Sequence, residues 1–251
     1  MHRFFLPSEQ SQASTITLSG REAHHGLRVL RLRKGDRVSV LNGKGRVFKC
    51  EVCSTARDTM ELVVQESADA PPAECAITLV QSIPKGKLLD SIIQKATELG
   101  VTRVIPLLSE RVITQIDEDN SDSKTEHWRT VAIEAIKQCG QPWLPVIEPA
   151  VKLSELLARA EPFDLFFIAS LQPGSRHPRS WFDSFRQREG REPKSACIWV
   201  GPEGDFTEAE VAVAIAAGAA PISLGRLVLR CETAATYCLS VLNYETQSRV
   251  P

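Results

Sequence analysis

Two stretches near the C-terminus, VGPEGDFTEAE (residues 200–210) and LGRLVLRCETAA (residues 224–235), decide how this chain is read. Each follows a short apolar run, breaks at glycine and resumes helical spacing, so each reads as strand, tight loop, helix. Gly201, Gly204 and Gly225 let backbone amides approach a ligand where a Cβ would intrude, and Pro202 stiffens the first turn. Thr207 and Glu210 form a T-x-x-E capping box, with Phe206 as a candidate hydrophobic staple and Gly218 as the stop. Taken singly, either loop reads as no more than a tight structural turn. Two of them, one helix apart at the C-terminal ends of parallel strands, are expected to form one small-molecule pocket lined mainly by main chain.

Outward from these loops, strands are expected at residues 77–83, 101–107, 165–169, 196–200 and 222–224. Helices are expected at 88–99, 124–138, 153–160, 178–186 and from 232 onward. The alternation predicts an α/β domain with a parallel sheet covered on both faces. Helices 88–99 and 232–244 carry more apolar residues than a one-sided surface helix needs, and burial in a dimer is the expected use of the excess.

The N-terminal segment has a different character. Residues 1–50 hold ten Lys/Arg against three acids, a charge of +7 in a chain whose total is −1. Within HHGLRVLRLRKGDRVSVLNGKGRVFKCEV (residues 24–52), a helix-like start precedes two strand-like runs joined at Asn42-Gly43, a hairpin signal. A further strand is expected at 60–65, so the segment reads as a small β-barrel or sheet module. Its cations form either a solvated basic face or a phosphate-backbone surface, and their concentration in one module favours the second. A short stiff linker containing Pro71 and Pro72 is expected within residues 67–74, giving domains at 1–70 and 74–251.

Several functional classes lose support. The first strand of the second domain leads into Ile83-Pro84-Lys85-Gly86-Lys87, which is neither a dinucleotide-binding nor a Walker turn. No G-x-S-x-G elbow occurs, the five histidines lack a nucleophile partner in sequence, and no metal-ligand cluster is apparent, so no metal is expected. The lone C-x-x-C at Cys50 and Cys53 reads as structural, and seven cysteines without framework spacing fit a reducing compartment. With neither a leader-like N-terminus nor a run of membrane-spanning length, the expected location is cytoplasmic, with no membrane partner.

The motifs MHRFFL, HHGLRVLRLRKGD, KGKLLDSIIQKATELGV, PLLSER, EAIKQCG, GPEGDF and LGRLVLRCETA, in this order, cover nearly the whole chain. In them the chain resembles the bacterial 16S ribosomal RNA uridine-N3 methyltransferases of the SPOUT superfamily. The resemblance implies a small N-terminal PUA-like β-barrel domain and a SPOUT-type parallel sheet with a C-terminal trefoil knot. It further implies S-adenosylmethionine as cofactor, a homodimer, and methylation of N3 of a uridine in 16S rRNA of the small ribosomal subunit. By position, cofactor contacts fall on Leu171, Gly201, Pro202, Glu203, Gly204, Leu224, Gly225, Leu229, Arg230, Thr233 and Ala234. RNA contacts are then expected from Arg3, Arg28, Arg31, Arg33 and Lys34. The chain departs from the family pattern at Asp205, where glycine is frequent, at Cys231, where threonine is, at Gln141, often arginine, and at Ser91, often aromatic.

Uridine N3 carries a proton at neutral pH, so methylation needs a base or a cation that stabilises the developing anion. Glu232 is the candidate for proton handling and Arg230 for charge stabilisation. Their alternative roles are capping the final helix and pairing within the loop. Two other functions stay open at this stage: a SPOUT methyltransferase acting on another rRNA or tRNA nucleoside, and a non-catalytic RNA-binding dimer.

Overall fold

A computed structural model describes residues 1–7, 14–112, 118–171 and 174–247, with no side-chain description for 118–120. Two units are distinguished, Met1–Pro72 with Ile133–Leu144, and Ala73–Ala132 with Pro145–Pro251.

The first unit is built on five strands, β1 (His2–Phe5), β2 (Thr15–Ser19), β3 (Arg37–Leu41), β4 (Arg46–Thr55) and β5 (Thr59–Asp69), in the order β1-β3-β4-β5-β2. β1 runs parallel to β3 and the remaining pairs are antiparallel. Alternate residues put one face inward: Phe4, Ile16, Leu18, Val38, Val40, Phe48, Cys50, Val52, Met60 and Leu62 form a core joined by Ala23 of α1 (Gly20–His24). The helix continues as a single π-turn over His25–Val29. The hairpin expected at Asn42-Gly43 is present, its turn held by Asn42 Oδ1, which accepts from the amides of Lys44 and Arg46 at 2.8 and 2.9 Å. The linker expected from residue 67 begins later. β5 runs on to Asp69, because Arg46 and Asp69 pair across the ladder through two 2.7 Å hydrogen bonds. The last turns of α3 (Glu118–Cys139) also belong to this unit, where Ile136 is buried with Phe5 and Leu41.

The second unit contains seven strands: β6 (Ala76–Ser82), β7 (Arg103–Leu108), β8 (Val146–Ile147), β9 (Val151–Lys152), β10 (Leu165–Ala169), β11 (Ser195–Val200) and β12 (Ala220–Ile222). Their order is β12-β10-β11-β6-β7-β8, with β9 also on β7, and every pairing is parallel. One face packs Val80, Ile105, Ile168 and Trp199 against Leu156 of α4 (Leu153–Ala158) and Val211 and Ala214 of α6 (Glu208–Ala216). On the other lie α2 (Leu88–Glu98), α7 (Cys231–Thr246) and α5 (Pro178–Glu189), whose Phe182 ring stands 5.9 Å from Phe167.

The apolar excess of helices 88–99 and 232–244 has a use inside the chain. α2 and α7 pack on each other and bury Leu89, Ile92, Ile93, Ala235, Cys238, Leu239 and Leu242. Periodicity counts apolar residues on a helix and does not say whether their partner lies in the same chain.

Candidate functional site

The loops after β10, β11 and β12 meet in a cavity of about 470 Å³ at the C-terminal ends of those strands. Local chemistry fixes the loop after β11. Pro202 O accepts from the Asp205 amide at 2.9 Å, and Asp205 sits at φ +59°, the left-handed region that favours glycine and tolerates aspartate. Asp205 Oδ1 accepts from the Phe206 amide at 2.8 Å and Oδ2 from the Leu171 amide at 3.4 Å, so one carboxylate spans two of the loops. Gly201 is required by close approach: a Cβ there would stand 2.9 Å from Asp205 Oδ1 and 3.1 Å from the Phe206 nitrogen.

Neighbouring strand ends brace this loop. Gln81, fully buried in β6, directs Nε2 to Ser82 O at 2.9 Å and to Val200 O and Gly201 O at 3.4 Å. The Lys85 amide donates to Glu203 Oε1 at 2.9 Å. Arg111, just beyond β7, donates to the Gly204 carbonyl. The capping box of α6 forms as its sequence requires, with Thr207 Oγ1 accepting from the Glu210 amide and Glu210 Oε2 from the Thr207 amide. Glu210 Oε1 also accepts from the Glu110 amide at 2.7 Å, and Thr207 Oγ1 donates to Glu110 Oε2 at 3.1 Å. Phe206 and Val211, the two positions a staple would join, are buried in the same cluster.

Of the positions taken as cofactor contacts, Leu171, Gly201, Pro202, Glu203, Leu224, Gly225, Leu229 and Ala234 line the cavity. Gly204, Arg230 and Thr233 are outside its described lining, each next to a lining residue in sequence. Sequence reasoning did not name Ser170, Ser175, Ser223 or Val228, and had Asp205 and Cys231 only as departures from a pattern. The serines lie outside the motifs quoted above, and Val228 lies inside one without a residue type that marks a contact.

Arg230 is the exposed N-cap residue of α7 and has no carboxylate partner among the described residues. Glu232, half-buried in the first turn of α7, accepts from Cys231 Sγ at 3.4 Å. Burial, with Glu232 and Glu203 nearby, pushes the Cys231 thiol up to about 12 and keeps it a neutral wall group.

The basic residues of the first unit separate into two sets. Arg46 pairs with Asp69, Lys49 with Glu66 and Arg21 with Glu134, so acids beyond residue 50 neutralise cations that looked unpaired in the N-terminal count. Arg3 donates through Nη1 to the carbonyls of Gln138 at 2.9 Å and Lys137 at 3.3 Å. Arg28, Arg31, Arg33 and Lys34 are exposed and have no carboxylate partner for their side chains among the described residues. Arg31 holds φ +56° in the turn that presents them. No group of three potential metal ligands occurs among the described residues.

Comparison with known proteins agrees with this anatomy. The family model of the RNA methyltransferase domain matches residues 71–243, and that of the RNA methyltransferase PUA domain matches residues 18–65. Ribosomal RNA small subunit methyltransferase E of Bacillus subtilis is 30% identical over 98% of this chain and 98% of its own length. The protein of the same name from Synechocystis is 32% identical over 96% of this chain and 77% of its own. A Legionella pneumophila methyltransferase solved with its cofactor SAM superposes with a TM-score of 0.87 at 28% identity, covering 96% of both chains. Ribosomal RNA small subunit methyltransferase E of Neisseria gonorrhoeae, bound to S-adenosyl methionine, gives 0.84 at 28% identity over 97% of both.

Proposed function

This chain belongs to the RNA methyltransferase family, and on that premise we propose that it transfers a methyl group from S-adenosylmethionine to N3 of a uridine in 16S rRNA of the small ribosomal subunit. The observation that carries the proposal is the cavity at the ends of β10, β11 and β12. Its volume, about 470 Å³, suits a ligand of this size. Its walls combine glycine-turn backbone, Leu171, Leu224 and Leu229 with the carboxylates of Glu203 and Asp205, a set that fits an amphipathic cationic adenosyl compound.

When bound, the cofactor supplies an electrophilic methyl group whose bonding pair stays on sulfur, leaving a neutral thioether. For N3 to become the nucleophile it must lose its proton. Glu232 takes that proton, and Arg230, free of any described carboxylate, stabilises the negative charge that develops on the base. Gly204 and Thr233 complete the cofactor loops from positions adjoining the lining. Arg28, Arg31, Arg33 and Lys34 hold RNA phosphates, and Arg3 adds its charge to that surface while anchored to α3.

The trefoil knot belongs to the same reading. β12 pairs with β10 on the side away from β11, while α7, which follows it, packs on β6 and β11, so the chain returns past both neighbouring loops. Leu227 and Val228 before α7, 76% and 79% exposed, and Tyr244 near its far end, 77% exposed, are large apolar side chains that support a homodimer which covers some of them. Seven unpaired cysteines, together with the absence of any described helix long and apolar enough to cross a membrane, support a cytoplasmic location.

The test is nucleoside mass analysis of rRNA from a deletion strain, before and after treatment of its small subunits with the protein and S-adenosylmethionine. The expected result is N3-methyluridine lost in the strain and restored by the protein. Methylation of a different nucleoside would move the activity elsewhere within the family, and failure to bind the cofactor would leave an RNA-binding dimer. In single-turnover assays Arg230→Ala and Glu232→Gln are each expected to slow transfer by about 100-fold with cofactor affinity retained. Near-normal rates in both would remove them from the chemistry.

A further inference from the structure

Asp205 ties two of the cavity-lining loops together, and no basic side chain pairs with it among the described residues. Both of its described hydrogen bonds come from backbone amides, which fix the carboxylate without cancelling its charge. The second lining carboxylate, Glu203, has Oε1 engaged by the Lys85 amide. Arg226, exposed in the loop after β12, is the only basic side chain among the described lining residues. The described lining therefore carries two carboxylates against one guanidinium, in a site partly withdrawn from solvent where a fixed charge acts more strongly than in water.

Resting on the reading above, we propose that Asp205 determines ligand selectivity: its carboxylate favours the sulfonium-bearing cofactor over the neutral thioether left after transfer, so that fresh cofactor outcompetes spent product for the site. Transfer removes one methyl group and with it one positive charge, and leaves the rest of the ligand unchanged. A carboxylate held in the wall by Phe206 N and Leu171 N is suited to sense that difference. Its φ of +59° carries a steric cost that a glycine would avoid; the aspartate adds a charge together with its two amide contacts, and asparagine separates the one from the other.

The experiment is titration calorimetry of the full chain and of Asp205→Asn with three ligands: S-adenosylmethionine, S-adenosylhomocysteine, and sinefungin, which carries an ammonium where the sulfonium stands. Asparagine also tolerates the left-handed conformation and keeps an acceptor for Phe206 N. Expected is a loss of about three- to tenfold for S-adenosylmethionine and sinefungin, with S-adenosylhomocysteine within twofold of the parent. Asp205→Gly, which relieves the backbone, should reproduce the collapse of selectivity even if it binds all three more tightly. Equal losses for all three ligands would assign Asp205 to the amino-acid end they share, and unchanged ratios in both variants would show that its charge is not sensed. Either result overturns the proposal. If the parent chain binds none of the three, the cofactor reading itself fails.

Discussion

Replacing Gly201 by alanine inserts one methyl group at the tightest point of the cavity wall. The new Cβ would lie 2.9 Å from Asp205 Oδ1, 3.1 Å from the Phe206 nitrogen and 3.2 Å from Asp205 Cα. The carboxylate can rotate away only by breaking its 2.8 Å bond to Phe206, and the two backbone atoms cannot rotate at all. Carbon–carbon contacts are optimal near 3.5–4.0 Å, so the turn must retreat by several tenths of an ångström. Its exits are braced by the Asp205 amide on Pro202 O, by Arg111 on the Gly204 carbonyl and by the capping box of α6. Overpacking of this kind costs about 1–3 kcal/mol. In a unit of this size that lowers the melting temperature by about 2–12 °C. Because the displaced atoms are themselves cavity wall, cofactor affinity should fall at least about tenfold, equivalent to about 1.4 kcal/mol. Adding Asp205→Gly removes the nearest of the three contacts and should recover part of the thermal loss. The measurements are differential scanning fluorimetry without ligand and calorimetric titration with S-adenosylmethionine. A Gly201→Ala chain that melts within 1 °C of the parent and binds within twofold would refute the reasoning, since the loop would then have room that these distances deny.

Two further predictions concern other parts of the molecule. Neutralising Arg31, Arg33 and Lys34 together should reduce the slope of log affinity against log salt for single-stranded RNA by about 2, with cofactor affinity unchanged; an unaltered slope would place RNA elsewhere. Asp164 accepts from Arg191 through two hydrogen bonds of 2.7 and 2.8 Å, which, with backbone amides, hold its carboxyl down at about 2. A depressed carboxylate contributes stability above about pH 4 that disappears as pH falls towards 2, about 1–2 kcal/mol here because Arg191 is nearly half exposed. Urea unfolding of Asp164→Asn against the parent should show that difference at pH 7 and its closure across this acid window; a gap that persists at pH 2 would assign the effect to packing.

Much of the second unit was legible because its elements are locally determined. The stop at Gly218, the box at Thr207 and Glu210, and the apolar stripe of α2 each specify structure within a few residues. The short strands β8 and β9 were not legible, since two residues carry no period and exist as strands only by pairing with β7. The basic surface was partly misjudged for a related reason. Charge counted along the first fifty residues cannot include Glu66, Asp69 and Glu134, which approach Lys49, Arg46 and Arg21 only after folding.

By itself the sequence determined where the chain turns, which segments alternate between strand and helix, and that two glycine loops follow adjacent elements late in the chain, because propensity, capping and periodicity act over a few neighbouring residues. Only the tertiary structure decided that Asp205 bridges to Leu171, and that Gln81 and Arg111 brace the turn from segments about a hundred residues away in sequence. Those contacts arise from strand order in a parallel sheet, where crossovers bring distant segments side by side, and strand order leaves no local mark on the residues it joins.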